Sequence, residues 1–250
     1  MIKRMILNAD DFGLTQGITD GTIKCHQAGI LTSTTCMMNQ PFAEYSLNLA
    51  KNYPNLGVGI HLVLTAGRPL VSGDKTLTDS DGNFKKLACY PEGASNVDLA
   101  ELYTEWQTQI EKFIAIAGKK PTHLDSHHFA HLFSHHHEVA IRLANAYDLP
   151  MRQNTQIISN YEFVPCDSTF YGDNLTNKSL EKIISNHEGT IEIMCHPAYV
   201  DHELLNISSY AHQRAKELEI ICSDQLKQLI KAHQIELINY AQLKKHPANG

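Results

Sequence analysis

Apolar residues arrive along this chain in two alternating rhythms. Short dense runs, several of them β-branched, are followed by longer stretches in which apolar positions recur every three to four residues. Residues 2–7 read as a strand, residues 15–28 as a helix closed by Gly29, and residues 30–38 as a second strand. Pro41 opens a helix that reaches about residue 52, and residues 56–64, LGVGIHLVL, form a third strand. Apolar residues at 99, 102, 106, 110, 113, 114 and 117 have helical spacing, and Gly118 ends that helix. A short strand follows at 122–125, a helix at 133–147, a strand at 150–154, a helix at 180–186 and a strand at 190–195. A long helix over 210–232 and a last short strand at 236–238 complete the pattern. Strands alternating with helices imply βαβ units and a parallel sheet, an α/β fold. About seven such units in 250 residues predict an irregular (β/α) barrel, with about seven parallel strands and one domain over residues 1–250. A doubly wound open sheet is the alternative. In a barrel the functional groups stand at the C-terminal strand ends and on the loops that follow.

One stretch breaks the rhythm. Residues 65–96 hold Gly67, Pro69, Gly73, Asp74, Asp79, Asp81, Gly82, Asn83, Pro91 and Gly93. It is too long for an ordinary connection, so it is either functional or disordered. It follows a strand, so a barrel places it over the active-site face.

Composition narrows the function classes. The chain is 42% hydrophobic and 19% charged, with a net charge of −6 and no basic run longer than a pair of lysines, which speaks against nucleic-acid binding. No apolar stretch approaches the ~18 residues of a membrane span, and the run after Lys3 and Arg4 is interrupted too early for a signal segment. Six dispersed cysteines without a C-x-x-C pair read as free thiols, so a cytoplasmic protein is expected.

Histidine is the unusual count. There are 15, and seven of them fall within residues 123–137. The predicted strand ends collect Asn8, Asp10 and Asp11, then His61, then Asp125, Ser126, His127 and His128, then Arg152, and finally His196. Asp10 and Asp11 are adjacent carboxylates that raise each other's pKa unless a cation or a catalytic task compensates. Each residue has a plainer reading as well. His61 alone would serve as a hydrogen-bonded core histidine, the Asp10-Asp11 pair as a turn, and the 196–197 His-Pro step as a strand terminator. His127 and His131 stand four apart, as in a helical metal pair, but Asp125-Ser126 reads as a strand end. Taken together, the residue types are those of a metal-dependent hydrolytic centre.

Five stretches in order, LNADDFGLTQG, TSTTCMMN, GIHLVLTAGRPL, KPTHLDSHHFAHL and EIMCHPAY, resemble the YdjC/ChbG family of carbohydrate deacetylases. The likeness runs from residue 5 to about residue 240. It implies an irregular (β/α) barrel, a homodimer, one divalent metal ion per subunit, and removal of acetyl groups from chitobiose-type oligosaccharides. Carried over by position, Asp11, His61 and His127 are the implied metal ligands, Asp10 the general base and His196 the general acid. The family commonly has three consecutive histidines after Asp-Ser, whereas this chain has Phe129 in third place. The resemblance points to magnesium, while two imidazoles and one carboxylate suit zinc.

The remaining polar residues follow from their positions. Asp125 is expected to hold a ligand histidine through its second ring nitrogen. Arg152 is expected to orient Asp10. Arg68, in the long loop, either reaches substrate or is plain surface charge. Tyr199, just past the 196–197 step, either stacks on a sugar or packs. Trp106 reads as core or as an oligomer face. Two rival classes stay open: another single-metal amidohydrolase or phosphoesterase on the same barrel, and a non-catalytic sugar-binding protein.

Overall fold

The computed structural model describes residues 2–73, 75–90, 96–152 and 161–243. Seven strands form its sheet: β1 (Ile2–Phe12), β2 (Ser33–Cys36), β3 (Gly57–Leu62), β4 (Leu124–Ser126), β5 (Cys166–Asp167), β6 (Gly189–Cys195) and β7 (Glu236–Leu237). The order is β4-β3-β2-β1-β6-β5, with β7 pairing the start of β1, and every ladder is parallel. This curled parallel sheet with flanking helices is the irregular (β/α) barrel that the alternating pattern predicts.

The helices are α1 (Gln16–Ala28), α2 (Ala43–Ala50), α3 (Leu99–Ala117), α4 (His137–Tyr147), α5 (Asn177–Asn186), α6 (His202–Ile207), α7 (His212–Cys222) and α8 (Asp224–Ala232). Local chemistry sets their ends. Thr15 caps α1 by accepting from the Ile18 N–H, and Asp98 caps α3 by accepting from Ala100 and Glu101. Gly118 closes α3 at φ 70°, a left-handed position suited to glycine. The helix expected over 210–232 is two helices, because Ser223 leaves helical geometry and caps α8 by accepting from Leu226.

Other boundaries move. β1 runs on through both aspartates to Phe12 instead of ending before them. Of the strand expected at 150–154, Met151 makes an isolated parallel bridge to Leu124, and residues 153 and 154 lie outside the described residues. β5 and α6 were not expected from the apolar pattern.

The apolar core joins the sheet to its helices. Met5, Leu7, Ile60, Leu62, Ile191 and Ile193 from the strands pack with Leu102, Ile110, Phe113 and Leu143 from the helices. Trp106 is fully buried and donates to the Val63 carbonyl at 3.2 Å, which makes it core. The long segment after β3 has its own anchors. Leu77 and Phe84 are buried, and a Thr78–Phe84 bridge closes a small hairpin. From α3, Glu105 accepts from the backbone of Leu70 and Val71, and Glu101 from that of Lys75 and Thr76. Its described residues are therefore packed and hydrogen-bonded structure.

Candidate active site

The two adjacent aspartates set the geometry. Neighbouring residues on a regular strand point to opposite faces. Here Asp11 takes φ 67°, and the pairing of β1 with β2 is irregular between Ala9 and Phe12. A left-handed residue in a strand is a local bulge that re-aims a side chain. Both carboxylates are thereby buried in one polar cluster.

Asp10 meets Arg152. The guanidinium grips it in two bonds of 2.7 and 2.6 Å, and the Asn8 amide donates a third at 2.9 Å. Burial pushes the Asp10 carboxyl up, but Arg152 overcomes this and holds it well below the usual carboxylate range. Arg152 is itself fully buried and serves three carboxylates. It also lies 2.9 Å from Asp125 and bonds Glu192 at 2.9 Å through Nε. The Tyr240 hydroxyl donates to the far oxygen of Glu192.

Asp11 faces the histidines. Its Oδ1 is 3.0 Å from His127 Nδ1 and 3.4 Å from His61 Nε2. Its Oδ2 accepts from Arg214 at 2.6 Å. The other nitrogen of His61, Nδ1, is 2.7 Å from Asp125 Oδ1, and Thr35 bridges at 3.1 Å to that ring and 3.0 Å to Asp125. Burial lowers the pKa of His61, yet Asp125, Asp11 and Asp10 together draw it up to about 10.

Asp11, His61 and His127 offer ligand atoms that all lie within 4.8 Å of one another. Tetrahedral coordination with bonds near 2.1 Å spaces its ligand atoms by about 3.4 Å. The 3.0 and 3.4 Å separations around Asp11 Oδ1 match that spacing. The fixed Nδ1 contact of His61 is also how ligating histidines are oriented. These residues fit a divalent cation. Asp10, His61 and Asp125 are similarly close, but Asp10 and Asp125 already share Arg152.

His196 follows β6. Its backbone N–H donates to Glu217, and its Nδ1 is 4.0 Å from the other oxygen of that carboxylate. Nδ1 is buried and has no hydrogen-bond partner among the described residues. Burial, reinforced by Arg214, pushes His196 down to about 4. Burial pushes Glu217 up to about 7 despite the hydrogen bonds it accepts from His196 and Tyr210.

The other expected positions separate. Asp125 and Arg152 belong to the cluster just described. Arg68 is exposed and binds Asn83 at 3.3 Å and the Asp81 carbonyl at 3.2 Å, within its own loop. Tyr199 is 47% exposed, and its backbone N–H donates to the Gly17 carbonyl. His131 is buried, between Ser126 at 2.5 Å and the Arg152 carbonyl at 3.3 Å, so it does not pair with His127 on a helix. His128 and Phe129 both take left-handed φ, which turns His128 toward Thr65 at 2.9 Å. Sequence reasoning missed Arg214, Glu217 and Glu192. The first two sit three apart on α7 and continue its buried stripe to Ile220 and Ile221. A charged pair on an apolar helix face was the available signal.

The fold and this cluster define a (β/α) barrel that gathers carboxylates and imidazoles at the C-terminal strand ends, the place where a barrel enzyme carries its active site. The family comparison is specific. A sequence model of the YdjC-like protein family matches residues 4–232, and the chain belongs to that family. It is 41% identical over 246 residues to a carbohydrate deacetylase of Clostridium beijerinckii, covering 95% of this chain and 98% of the relative. It is 38% identical over 253 residues to a chitooligosaccharide deacetylase of Yersinia enterocolitica, covering 96% and 99%. A crystal structure from Enterococcus faecalis, of a protein whose name refers to cellobiose-phosphate cleavage, superposes with a TM-score of 0.88 at 32% identity, covering 96% and 98%.

Proposed function

We propose that this protein is a carbohydrate deacetylase that hydrolyses the acetyl group from acetylated oligosaccharides, with N-acetylated chitobiose-type sugars as the preferred class. The observation that carries the reading is the convergence of one three-donor cation site, one ionised aspartate and one buried histidine at a single parallel sheet. The names of the relatives support the reaction class.

A divalent cation held by Asp11, His61 and His127 would polarise the acetyl carbonyl and make water a stronger nucleophile. Zinc suits two imidazoles and a carboxylate, and magnesium remains the choice implied by the family resemblance. Asp10 is the base. An ionised carboxylate offers about four acceptor sites, and Arg152 and Asn8 take three of them. Among the described residues nothing takes the last, which can accept the proton of the attacking water. The low pKa keeps Asp10 ionised throughout the neutral range. His196 is the acid: neutral in the resting site, its imidazole takes up a proton held by Glu217 and, as the carbon–nitrogen bond breaks, gives it to the departing nitrogen. Glu217, close to His196 Nδ1 and pushed up to about 7, supplies a second place for that proton between turnovers. The products are acetate and the free sugar amine.

Acetate release from N,N′-diacetylchitobiose, with chelator and then with metal restored, tests the reading. Chelator-sensitive release is expected. Release from O-acetylated sugars alone would move the substrate class, and hydrolysis of phosphate esters alone would overturn the reading.

A further inference from the structure

Beside His196 stands an aromatic pair that the hydrolytic scheme does not use. Tyr171 lies between β5 and α5, and Tyr210 just before α7. Their rings are stacked, with centroids 4.1 Å apart and planes 5° from parallel. Both meet the His196 ring edge-on, Tyr171 at 5.6 Å and Tyr210 at 5.7 Å. Tyr171 is 44% exposed although Tyr210 covers one of its faces.

The pair is built to stay in place. The Tyr210 hydroxyl donates to Glu217 at 2.6 Å, and the same carboxylate accepts from the His196 backbone. The Gly172 N–H, next to Tyr171, donates to the Tyr210 oxygen at 3.2 Å. Gly172 takes φ 61°, which lets the chain turn sharply there. The Arg214 guanidinium lies 5.6 Å from the Tyr210 ring centre and bonds Asp11. Burial raises the Tyr171 phenol, with Arg214 opposing and Glu217 and Asp11 reinforcing, so the ring stands beside the same charges as the hydrolytic cluster. A half-exposed aromatic ring, braced from behind, suits the apolar C–H face of a pyranose ring.

We propose that Tyr171, backed by Tyr210, is the platform that seats the sugar ring carrying the acylated nitrogen, so that this nitrogen faces His196. The proposal rests on the deacetylase reading and deepens it by assigning a substrate-binding residue. Tyr171 acts through its aromatic face, so its role is binding and positioning. Tyr199, the aromatic that the sequence offered for stacking, stays outside this ring cluster.

The test uses full-length Tyr171→Leu, with Tyr171→Phe as the conservative control and thermal melts to verify folding of both. Acetate release from N,N′-diacetylchitobiose gives KM and kcat, and saturation-transfer NMR reads binding of the same sugar whether or not it is turned over. The expected result is a rise in KM of about tenfold or more for Tyr171→Leu, a smaller change in kcat, weakened NMR contact, and wild-type behaviour for Tyr171→Phe. Wild-type KM and NMR contact in a folded Tyr171→Leu would overturn the platform. If the wild type binds the sugar without releasing acetate, the deacetylase reading falls, and loss of binding in Tyr171→Leu still supports the platform. If the wild type neither binds nor hydrolyses it, both fall.

Discussion

Replacing Arg152 by methionine removes the one cation shared by Asp10, Asp125 and Glu192. All four side chains are buried. Breaking a buried ion pair by deleting one partner costs about 3–5 kcal/mol, because a charge is left uncompensated. Three carboxylates do not triple that figure, since each can take up a proton instead. For a chain of this size a loss of 1 kcal/mol lowers Tm by ~2–4 °C, so the variant should melt roughly 6–20 °C below the wild type at neutral pH. The pH dependence gives the signature. In the wild type, Asp10 is held below its unfolded value, so its contribution is present above about pH 4 and lost as pH falls through the lower folded value. Without Arg152, burial is opposed only by His61 and His196, so the Asp10 pKa rises from its depressed value and less of that stabilisation is present at neutral pH. The stability gap between the two proteins should therefore be widest at pH 7–8 and narrow on acidification. The acid limb of kcat/KM should move upward by more than one pH unit. Differential scanning fluorimetry from pH 4 to 8, with the rate profile beside it, reads both. A uniform Tm loss at every pH, or an unmoved acid limb, would refute the electrostatic account of Arg152.

Three further outcomes follow from the geometry. His61 is drawn up to about 10, so its proton adds stability below its unfolded value near 6.5 that is lost as pH rises through 10, and a cation must displace that proton. Calorimetric titration of metal at pH 8 in buffers of different ionisation enthalpy should show about one proton released, and none released would contradict the ligand role. His196→Asn should leave metal content unchanged and lower kcat by about 10²–10⁴-fold, read by acetate release and metal analysis. Glu105→Ala removes the acceptor for the Leu70 and Val71 N–H groups and should cost about 1–3 kcal/mol, with faster amide exchange at those two residues. Unchanged exchange there would mean that another contact holds the segment.

The parts of the fold carried by local pattern were legible in the chain. Alternating short apolar runs and helical spacing predicted the parallel sheet, and residues 56–64 read as the strand that carries His61, which the structure places at Gly57–Leu62. Ser223-Asp224 held a capping signal that the apolar periodicity of residues 210–232 overrode. β5 is two residues long and leaves no periodic trace. At the site, residues that follow strands could be placed from sequence, because parallel topology gathers strand ends. Arg214 and Glu217 could not, because they reach Asp11 and His196 from a helix some 200 and 20 residues away along the chain. The same limit applied to Tyr171 and Tyr210, whose stacking is a contact between two loops.

The central claim is that the adjacent aspartates divide the work, Asp11 holding the cation and Asp10 taking the proton. Bound metal and acetate release, measured side by side for Asp10→Asn and Asp11→Asn, test it most directly. The account predicts that Asp11→Asn loses metal and turnover together, while Asp10→Asn keeps its metal and loses turnover by about 10²–10⁴-fold. Near-normal turnover in Asp10→Asn, or full metal content in Asp11→Asn, would contradict it.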